Sequence, residues 1–512
     1  MKRRRKRNTQ RNRGNPPPVD ETHASGDLSR RQFLGGLAGV AGALAIAGCG
    51  DSSSAVATRT PTATATGTAT PRPTASATAS ASATATASAS ATPTASPTPS
   101  PSPTATPINP EDLPLPDPAS SGIQHIVVVM MENRSFDHFL GWLPGADGHQ
   151  AGLSFQDKQG NTQQTFPLAP NFQNCQFDDP DHSYEGGRAQ FNGGANDGWL
   201  KAGTNDVFPI GYYVQDDLSF YGQAVPAWTT FDRYFAAILG PTYPNRFYMH
   251  AGQTDRLDNT LTISTLPTIW DRLAQQGLTG TYYYSDLPFL ILFGQSRVSI
   301  TKPIAQFFDD ASAGNLPNVT YIDPRFIGEG NGTSNDDHPL ADIRNGQAFL
   351  SQTYDALTTS PNWPDTVLVI NYDEWGGFFD HVPPPLAPQT LTDAQTGNDG
   401  RLGFRVPCIV ASPLARRGFI GHKQYDHTSV LQMIEWRWGL TPLSARDSSA
   451  NNLALALDFT QPKNLQLPLF SSVPTGPFGT PCNASPTVAR PELEGLRLMA
   501  QRYGLPVPPA PR

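Results

Sequence analysis

Acidic and amide side chains follow two apolar runs of this chain at the point where each run ends. The run "HIVVVMM" is followed at once by Glu132 and Asn133, and the run "TVLVINY" is followed by Asp373 and Glu374. Either pair alone would fit an exposed turn. Three carboxylates and an amide oxygen that meet at one point need a cation between them, and an all-oxygen set suits a hard or borderline divalent ion. These four side chains therefore predict a site for one divalent metal ion of unknown identity.

A candidate nucleophile lies in the segment "LGPTYPNR". Thr242 stands between Gly-Pro and Tyr-Pro, a rigid turn that would hold one hydroxyl in place. A neutral hydroxyl is a poor nucleophile, and metal coordination or a nearby base is the usual way to activate it. The alternative is a helix-capping threonine. Asn245 and Arg246 follow as candidate substrate-binding residues for an anionic group, with a plain salt bridge as the alternative for Arg246.

Several histidines have acidic neighbours. They are His182 in "DDPDHSYEGG", His338 in "NDDHPLADI", His381 in "FFDHVPPP" and His138 in "RSFDHF". A nearby acid raises the pKa of a histidine and keeps it available as a general acid. The alternative for each is a hydrogen-bonded loop histidine, and we expect His138, at helix spacing after Arg134, to be structural. His182, His338 and His381 remain the catalytic candidates.

These side chains need elements that bring them together. Near-continuous apolar runs indicate strands covered on both faces, at 125–131, 279–285, 319–323, 365–372 and 405–412. Helical patterns lie between them, at 266–277, 342–357 and 427–440. This alternation predicts an α/β domain with a mostly parallel central sheet and helices on both faces. In such sheets a ligand site lies beyond the carboxyl ends of the strands, which is where the acids stand.

The N-terminal residues of the chain predict an export signal and a tether rather than part of the folded domain. Residues 1–48 contain a basic stretch, the pair Arg30-Arg31 and a short apolar run, which indicate a twin-arginine signal peptide. The run ends in a lipobox-like "IAGC", so Cys49 is the candidate lipidation residue, with an ordinary signal as the alternative. Residues 49–120 are mostly Ala, Thr, Ser and Pro and predict a disordered tether. The tether leaves 121–512 as a single catalytic domain.

Charge and motif content exclude several classes of function. Residues 1–48 hold ten Lys/Arg and three Asp/Glu, so the rest of the chain carries about −15 when the whole carries −8; this argues against nucleic acid as a partner. The sequence contains no G-x-S-x-G, H-E-x-x-H or P-loop motif. Cys175, Cys408 and Cys482 lack metal-type spacing, and one disulfide between two of them is compatible with export.

Six motifs occur in the order in which a known family has them. They are "HIVVVMMENRSFDHFLG", "DPDHSYEG" followed by "NDGW", "GPTYPNR", "DDHPLADIRNGQ", "NYDEWGGFFDHVPPP" and "IEWRWGLTPLSARD", and they span most of 121–460. On these motifs the chain resembles the bacterial phosphoesterase family that contains the non-haemolytic-type phospholipases C and related secreted acid phosphatases. The resemblance implies an alkaline-phosphatase-like α/β sandwich with a metal-dependent nucleophile.

The resemblance also implies a role for each candidate. Thr242 would be the nucleophile and would touch the metal; the family's acid phosphatases have a serine there and its phospholipases a threonine. His182 and His338 would contact the phosphoryl oxygens or the leaving group, and His381 lies in a matching motif. The other metal ligands would be Glu132, Asn133, Asp373 and Glu374.

The leading hypothesis is an exported, lipid-anchored phosphoric ester hydrolase of phospholipase C type that cleaves phosphodiester bonds, with phospholipid as the expected substrate. It would lie on the outer side of the cell membrane or be secreted, without an obligate protein partner. An acid phosphatase acting on phosphomonoesters is the alternative. A surface protein that only binds phosphate or metal is the alternative from another class, and sulfate ester hydrolysis stays open.

Overall fold

The computed structural model describes residues 109–482 and 490–509. The predicted signal peptide, Cys49 and the predicted tether up to residue 108 lie outside the described residues. Residues 109–120 do not continue a tether, because Glu111 is buried and its carboxylate accepts hydrogen bonds from the backbone N–H of His422 at 3.0 Å and the hydroxyl of Tyr425 at 2.8 Å. The described residues 109–120 therefore pack on the domain, although the predicted tether of 49–120 included them.

The strands of the described chain follow the apolar runs of the sequence. They are β1 (His125–Met131), β2 (Ser154–Gln156), β3 (Thr162–Gln164), β4 (Phe166–Pro167), β5 (Gly211–Tyr212), β6 (Thr229–Phe231), β7 (Tyr234–Phe235), β8 (Gly280–Tyr284), β9 (Thr301–Pro303), β10 (Val319–Asp323), β11 (Thr366–Tyr372), β12 (Cys408–Ala411), β13 (Phe419–Gly421) and β14 (Tyr425–Asp426). Eight of them form the central sheet, in the order β13-β6-β12-β11-β1-β10-β8-β9. Only β12 runs antiparallel to its neighbours in this sheet, so the predicted mostly parallel α/β class is confirmed.

Helices connect and cover these strands. They are α1 (Phe136–Leu140), α2 (Tyr184–Phe191), α3 (Tyr221–Ala227), α4 (Thr242–Ala251), α5 (Ile269–Gln275), α6 (Ile304–Ser312), α7 (Ile343–Thr358), α8 (Leu391–Thr396), α9 (His427–Trp438), α10 (Ala445–Ser449) and α11 (Pro491–Arg502). Within the ranges 109–482 and 490–509, none of these helices combines the length and apolarity that a membrane span requires.

The middle of the sheet is buried on both faces. Every residue of β11, and every residue of β1 after His125, is buried. Because successive side chains of a strand point to opposite faces, this burial requires cover on both sides of the sheet. Helix α4 contacts α5 and α9, and α6 contacts α7. The central strands are therefore rigid supports for whatever follows their carboxyl ends.

One disulfide ties the C-terminal part of the domain to an early loop. Cys175 and Cys482 are bonded across a sequence separation of 307 residues, and Cys408 is a buried free thiol in β12. Beside the disulfide, Gln173 exchanges two hydrogen bonds with the backbone of Thr480, at 2.8 and 3.0 Å. The structure thus selects one of the pairings that the sequence left open.

Candidate active site

Three neighbouring parallel strands deliver acidic side chains to one edge of the central sheet. Strand β1 lies between β10 and β11, and Met131 of β1 is level with Tyr372 of β11. The next residues, Glu132 and Asp373, therefore emerge beside each other. Asp323, the last residue of β10, reaches the same edge. All three carboxylates are buried, so the structure brings together the two strand ends that the sequence singled out.

A tight turn locks Asn133 against the second strand end. Asn133 adopts the left-handed conformation with φ of 63°, which asparagine tolerates better than most residues. Its backbone N–H donates to Oδ1 of Asp373 at 3.2 Å. Gly376, also left-handed, packs so closely that a Cβ there would lie 2.2 Å from the carbonyl oxygen of Asn133. The "DEWGG" turn therefore requires glycine at this position.

The proposed ligand set contains buried oxygens without protein partners. Oδ1 of Asn133, Oγ1 of Thr242 and Oε1 of Glu374 make no hydrogen bond to any described residue, whereas Oε2 of Glu374 accepts from the N–H of Gly376 at 2.7 Å. Leaving a buried polar atom unpaired costs about 1–3 kcal/mol. Oxygen donors of this kind are what hard and borderline divalent cations bind. These three oxygens are therefore candidate donors for the predicted divalent ion, whereas the acid and histidine clusters whose potential ligand atoms lie within 4.8 Å of one another among the described residues are Asp179-His182-His338 and Asp137-Asp380-His381.

The electrostatics of the second acid pair also fit a cation. Burial raises the pKa of Asp373 to about 7, although the Arg246 guanidinium opposes the rise. Burial likewise raises the pKa of the Glu374 carboxyl well above its usual range, and the charge of His182 only partly opposes this. A bound cation stabilises the ionised forms of its ligands, so it would relieve the cost of burying these acids.

Thr242 is the first residue of α4, a helix whose ten residues are all buried. The residue before the helix is Pro241, and the Thr242 hydroxyl caps no N–H group of the described chain, so the capping alternative is not what the structure shows. Arg246 lies one turn later on the same face of α4. The positive end of a helix favours negative charge, which suits both a threonine alkoxide and a phosphoryl group at this position.

Asn245 faces the turn that precedes α4 rather than a substrate. Its Oδ1 accepts from the N–H of Ile238 at 3.0 Å, and its Nδ2 donates to the carbonyls of Gly240 at 2.8 Å and Pro241 at 3.2 Å. Both polar atoms of the amide are thus used to hold the segment that presents Thr242. The predicted substrate-binding role of Asn245 is corrected to a positioning role.

Arg246 is buried among carboxylates. Its guanidinium lies 2.9 Å from Oδ1 of Asp323, 3.1 Å from Oδ2 of Asp373 and 3.6 Å from Oε1 of Glu132. Burial lowers the pKa of Arg246, but these three acids raise it above its ordinary value. The salt bridge that the sequence left as the alternative is therefore the contact found, and the predicted anion-binding role of Arg246 is corrected to holding the strand ends together.

Replacing Arg246 by glutamine is expected to destabilise the domain by about 3–5 kcal/mol, because three carboxylates would remain buried without their cation. The midpoint of urea unfolding, measured in the presence of a chelator, checks this result. Lys302→Gln is the control, since Lys302, 3.4 Å from Asp310, has a side chain that is 42% exposed, and such a pair should contribute below about 1 kcal/mol. Equal stability of the two variants would contradict the organising role of Arg246.

A second cluster adjoins the first. Potential ligand atoms of Asp179, His182 and His338 all lie within 4.8 Å of one another. Nδ1 of His182 lies 2.7 Å from the carbonyl oxygen of Pro180, and because a carbonyl only accepts, Nδ1 carries the proton and Nε2 is left for other chemistry. The rings of His182 and His338 are 5.6 Å apart. The structure thus brings together two of the three histidines predicted to be catalytic.

The two histidines differ in their electrostatic surroundings. Burial lowers the pKa of His182, but the charges of Glu374 and Asp179 outweigh it and raise this pKa to about 9. Burial, with the charge of Arg490, lowers the pKa of His338 well below its usual range. His182 is therefore placed to be charged near neutral pH and His338 to be neutral.

An open cleft gives access to this region. Its volume is about 750 Å³, and its walls include Asp179, His182 and Pro241. Pro241 immediately precedes Thr242, so the cleft joins the start of α4 to the histidine cluster. The cleft exposes His182 and the residue before Thr242, while Thr242 itself is buried behind its wall.

His381 belongs to a separate network. Its Nδ1 lies 2.6 Å from Oδ2 of Asp137 and its Nε2 lies 3.1 Å from Oδ1 of Asp147. Arg405, fully buried, pairs with Asp137 at 3.1 Å and with Asp380 at 2.9 Å. Both ring nitrogens face carboxylates of this network, so His381 lies in a cluster of its own with Asp137 and Asp380, and its catalytic role stays a prediction.

His138 is structural, as the sequence indicates. Its Nε2 lies 2.9 Å from Nη1 of Arg134, and its Nδ1 lies 2.7 Å from the carbonyl oxygen of Gly211. Burial and the charge of Arg134 lower its pKa well below the usual value. A neutral ring of this kind supports the packing beneath the strand ends.

Sequence reasoning missed several residues of the site. Asp323 ends the predicted strand 319–323 and could have been found by the rule that identified Glu132. Asp179, three residues before His182, lies in the same quoted acidic segment. Glu329 and Arg490, which pair with each other near His338, carry no local pattern that could have revealed them.

Comparisons with known proteins find similar sequences. A sequence model of the Phosphoesterase family matches residues 123–441. Non-specific phospholipase C6 of Arabidopsis thaliana is 31% identical over 380 residues, which cover 64% of this chain and 71% of that protein. Phospholipase C B of Mycobacterium tuberculosis (strain ATCC 25618 / H37Rv) is 31% identical over 427 residues, covering 68% of this chain and 80% of that protein.

Among solved structures, a protein of the alkaline phosphatase superfamily from Vibrio parahaemolyticus aligns with a TM-score of 0.31 and 11% identity, over 66% of this chain and 70% of that one. The family match spans more than half of the chain and confirms the resemblance drawn from the motifs. The chain therefore belongs to the phosphoesterase family and is a hydrolase that acts on phosphoester bonds.

Proposed function

We propose that this protein is a metal-dependent hydrolase of phospholipase C type that uses Thr242 as its nucleophile. The observation that carries the proposal is that buried oxygens of Asn133, Thr242 and Glu374 have no hydrogen-bond partner among the described residues. The ion would be held by these three residues together with Glu132 and Asp373. When bound, a divalent ion lowers the pKa of a coordinated hydroxyl and neutralises charge on phosphoryl oxygens.

The remaining catalytic steps are carried out by Thr242, His182 and His338. The Thr242 hydroxyl gives its proton to bulk water as its oxygen attacks the phosphorus in line; the bond from this oxygen to phosphorus forms, and the bond from phosphorus to the leaving oxygen breaks. His182, whose Nδ1 faces the carbonyl of Pro180, donates the Nε2 proton to the leaving alcohol. His338 would contact a phosphoryl oxygen. Water then attacks the phosphothreonine and gives one proton to His182, the bond from phosphorus to the Thr242 oxygen breaks, and this oxygen takes a proton back from bulk water.

The proposed preference for phospholipid rests on the similar proteins and on Thr242. The family's phospholipases have a threonine at this position, whereas its acid phosphatases have a serine. The proteins that resemble this chain are named phospholipases C, and a phospholipase C releases the diacylglycerol alcohol while the phosphate stays with the head group. A tether ending at Cys49, if acylated, would keep the domain beside lipid. We therefore include in the proposal export by the twin-arginine route and anchoring at Cys49, both of which rest on sequence.

A substrate panel tests the proposal. We expect the full-length protein to hydrolyse phosphatidylcholine and a bis-aryl phosphate faster than a mono-aryl phosphate, in each case only with a divalent ion present. Activity on the monoester alone would instead establish the acid phosphatase. The absence of turnover on every ester, with any divalent ion tried, would favour the surface binding protein, and an aryl sulfate in the same panel decides the sulfate ester alternative.

A further inference from the structure

Arg490 brings a guanidinium from the C-terminal segment into the candidate active site. Its side chain is 10% exposed, and Nη2 lies 3.4 Å from Oε2 of Glu132. Nη1 pairs with Glu329, and Nε lies 3.3 Å from Oε1 of Glu492. Glu329 in turn lies 3.4 Å from Nδ1 of His338. One arginine thus contacts both the proposed metal side of the site and its histidine side.

The segment that carries Arg490 is attached to the domain on both sides of this residue. Before it, Cys482 is bonded to Cys175. After it, α11 begins at Pro491, and Leu496 and Ala500 of this helix are buried in the main core. Arg490 directly precedes α11, whose positive N-terminal end lies on the same side. The position of the guanidinium is therefore supported by the fold rather than by one flexible side chain.

Charge explains why a cation is needed there. Acids around Arg490 and His338 include Glu132, Asp179, Glu329 and Asp336, and Asp178, Asp181 and Asp258 line the adjoining cleft. Arg246 contacts the strand ends from the interior and donates to the carbonyl of Met131. Its positive charge therefore offsets the acids at the strand ends rather than those beside His338. An anionic phosphoryl group beside His338 would meet Glu329 and Asp179, and like charges in a buried site repel strongly.

We propose that Arg490 is a positioning residue for phosphoryl binding, which makes the C-terminal segment part of the active site. It holds Glu132 and Glu329 in place, and its charge offsets the repulsion that an anionic phosphoryl group meets beside His338. This inference rests on the proposed function and adds to it the residue that prepares the histidine side of the site for an anion.

Calorimetric binding of inorganic phosphate to the full-length protein, together with kcat and KM for a bis-aryl phosphate, tests the inference. We expect Arg490→Gln to weaken phosphate binding by at least about tenfold, because the repulsion that the phosphoryl group meets from Glu329 and Asp179 would no longer be offset, and to raise KM. Arg490→Lys should show a loss of about threefold, because it keeps the charge but not the planar fork. Arg502→Gln, an exposed position on the same helix, should bind phosphate normally.

A further variant distinguishes the positioning role of Arg490 from simple anchoring of the C-terminal segment. Glu492→Gln breaks the pair that Arg490 makes within its own segment and leaves Glu132 and Glu329 untouched. Phosphate binding as weak in Glu492→Gln as in Arg490→Gln would overturn the inference, and so would normal binding in Arg490→Gln. If Arg490→Gln does not fold, Arg490→Lys decides, because phosphate binding equal to that of the wild type would contradict the positional role.

The same experiment keeps the two proposals apart, because phosphate binding requires no turnover. A wild-type protein that hydrolyses no ester, yet loses phosphate on Arg490→Gln, would refute the proposed function alone. Turnover that depends on Thr242 but is unaffected by Arg490→Gln, with unaffected phosphate binding, would refute this inference alone.

Discussion

Thr242→Ala is expected to lower kcat by at least about 10⁴-fold, the scale at which loss of a covalent nucleophile is felt. The reason is that Thr242 carries the one aliphatic hydroxyl of α4; the other hydroxyls of this described helix belong to the phenols Tyr243 and Tyr248. The folded state should change little, because the Thr242 hydroxyl makes no hydrogen bond to a described residue; an effect within about 1 kcal/mol is expected. Steady-state turnover of the best ester in the panel, with a melting curve, measures both.

Thr242→Ser is the matched variant for this prediction. It keeps a hydroxyl at the same position on the helix, so its kcat should stay within about tenfold of the wild type. Thr242→Ala protein that turns over at an undiminished rate would remove the nucleophile from the proposed mechanism. A serine variant as inactive as the alanine variant would show that the methyl group, and hence packing, matters more than the hydroxyl.

Removing the metal is expected to have the second large effect. Dialysis against a chelator should lower kcat by at least about 10³-fold, since electrostatic stabilisation is usually the largest single contribution to such chemistry. Adding back a divalent ion should restore activity. Glu374→Gln should weaken binding of that ion by at least about 100-fold, more than the loss typical of an outer-shell partner, as measured by calorimetry on the chelated protein.

Glu435→Gln is the control for Glu374→Gln. Glu435 is also a buried glutamate, but it lies in α9 and its pKa is raised by burial and by Asp447 rather than by residues of the site. We expect its metal content to equal that of the wild type. Full activity after exhaustive chelation, or equal metal loss in the two glutamine variants, would contradict the metal site proposed at the strand ends.

Much of the fold was predictable because its strands are local and strongly apolar. The predicted strands at 125–131 and 319–323 coincide with β1 and β10, and 365–372 contains β11. The carboxyl ends of neighbouring parallel strands lie at the same edge of a sheet. The same apolar runs therefore predicted that Glu132 and Asp373 lie close together. Helix α4 was not predicted, because its proline and polar residues lack helical periodicity and its burial comes from tertiary contacts.

The parts of the site that the sequence did not reveal depend on long-range contacts. His381 was expected at the site because its neighbours are acidic, yet the acids that bind it, Asp137 and Asp147, come from a distant segment. Arg246 was a candidate for anion binding because the acids that surround it come from distant parts of the sequence and cannot be recognised from its neighbours in the chain. Arg490 reaches Glu132 across 358 residues of sequence, a distance over which no local pattern extends.

The central claim is that the Thr242 oxygen forms a bond to phosphorus at the metal-bearing edge of the sheet. Acid quenching of the full-length protein during turnover, followed by peptide mass spectrometry, tests this claim directly. We predict one phosphoryl adduct on Thr242, formed with a divalent ion and lost after chelation or in Glu374→Gln. Turnover that continues while Thr242 carries no adduct and another residue does would contradict the account.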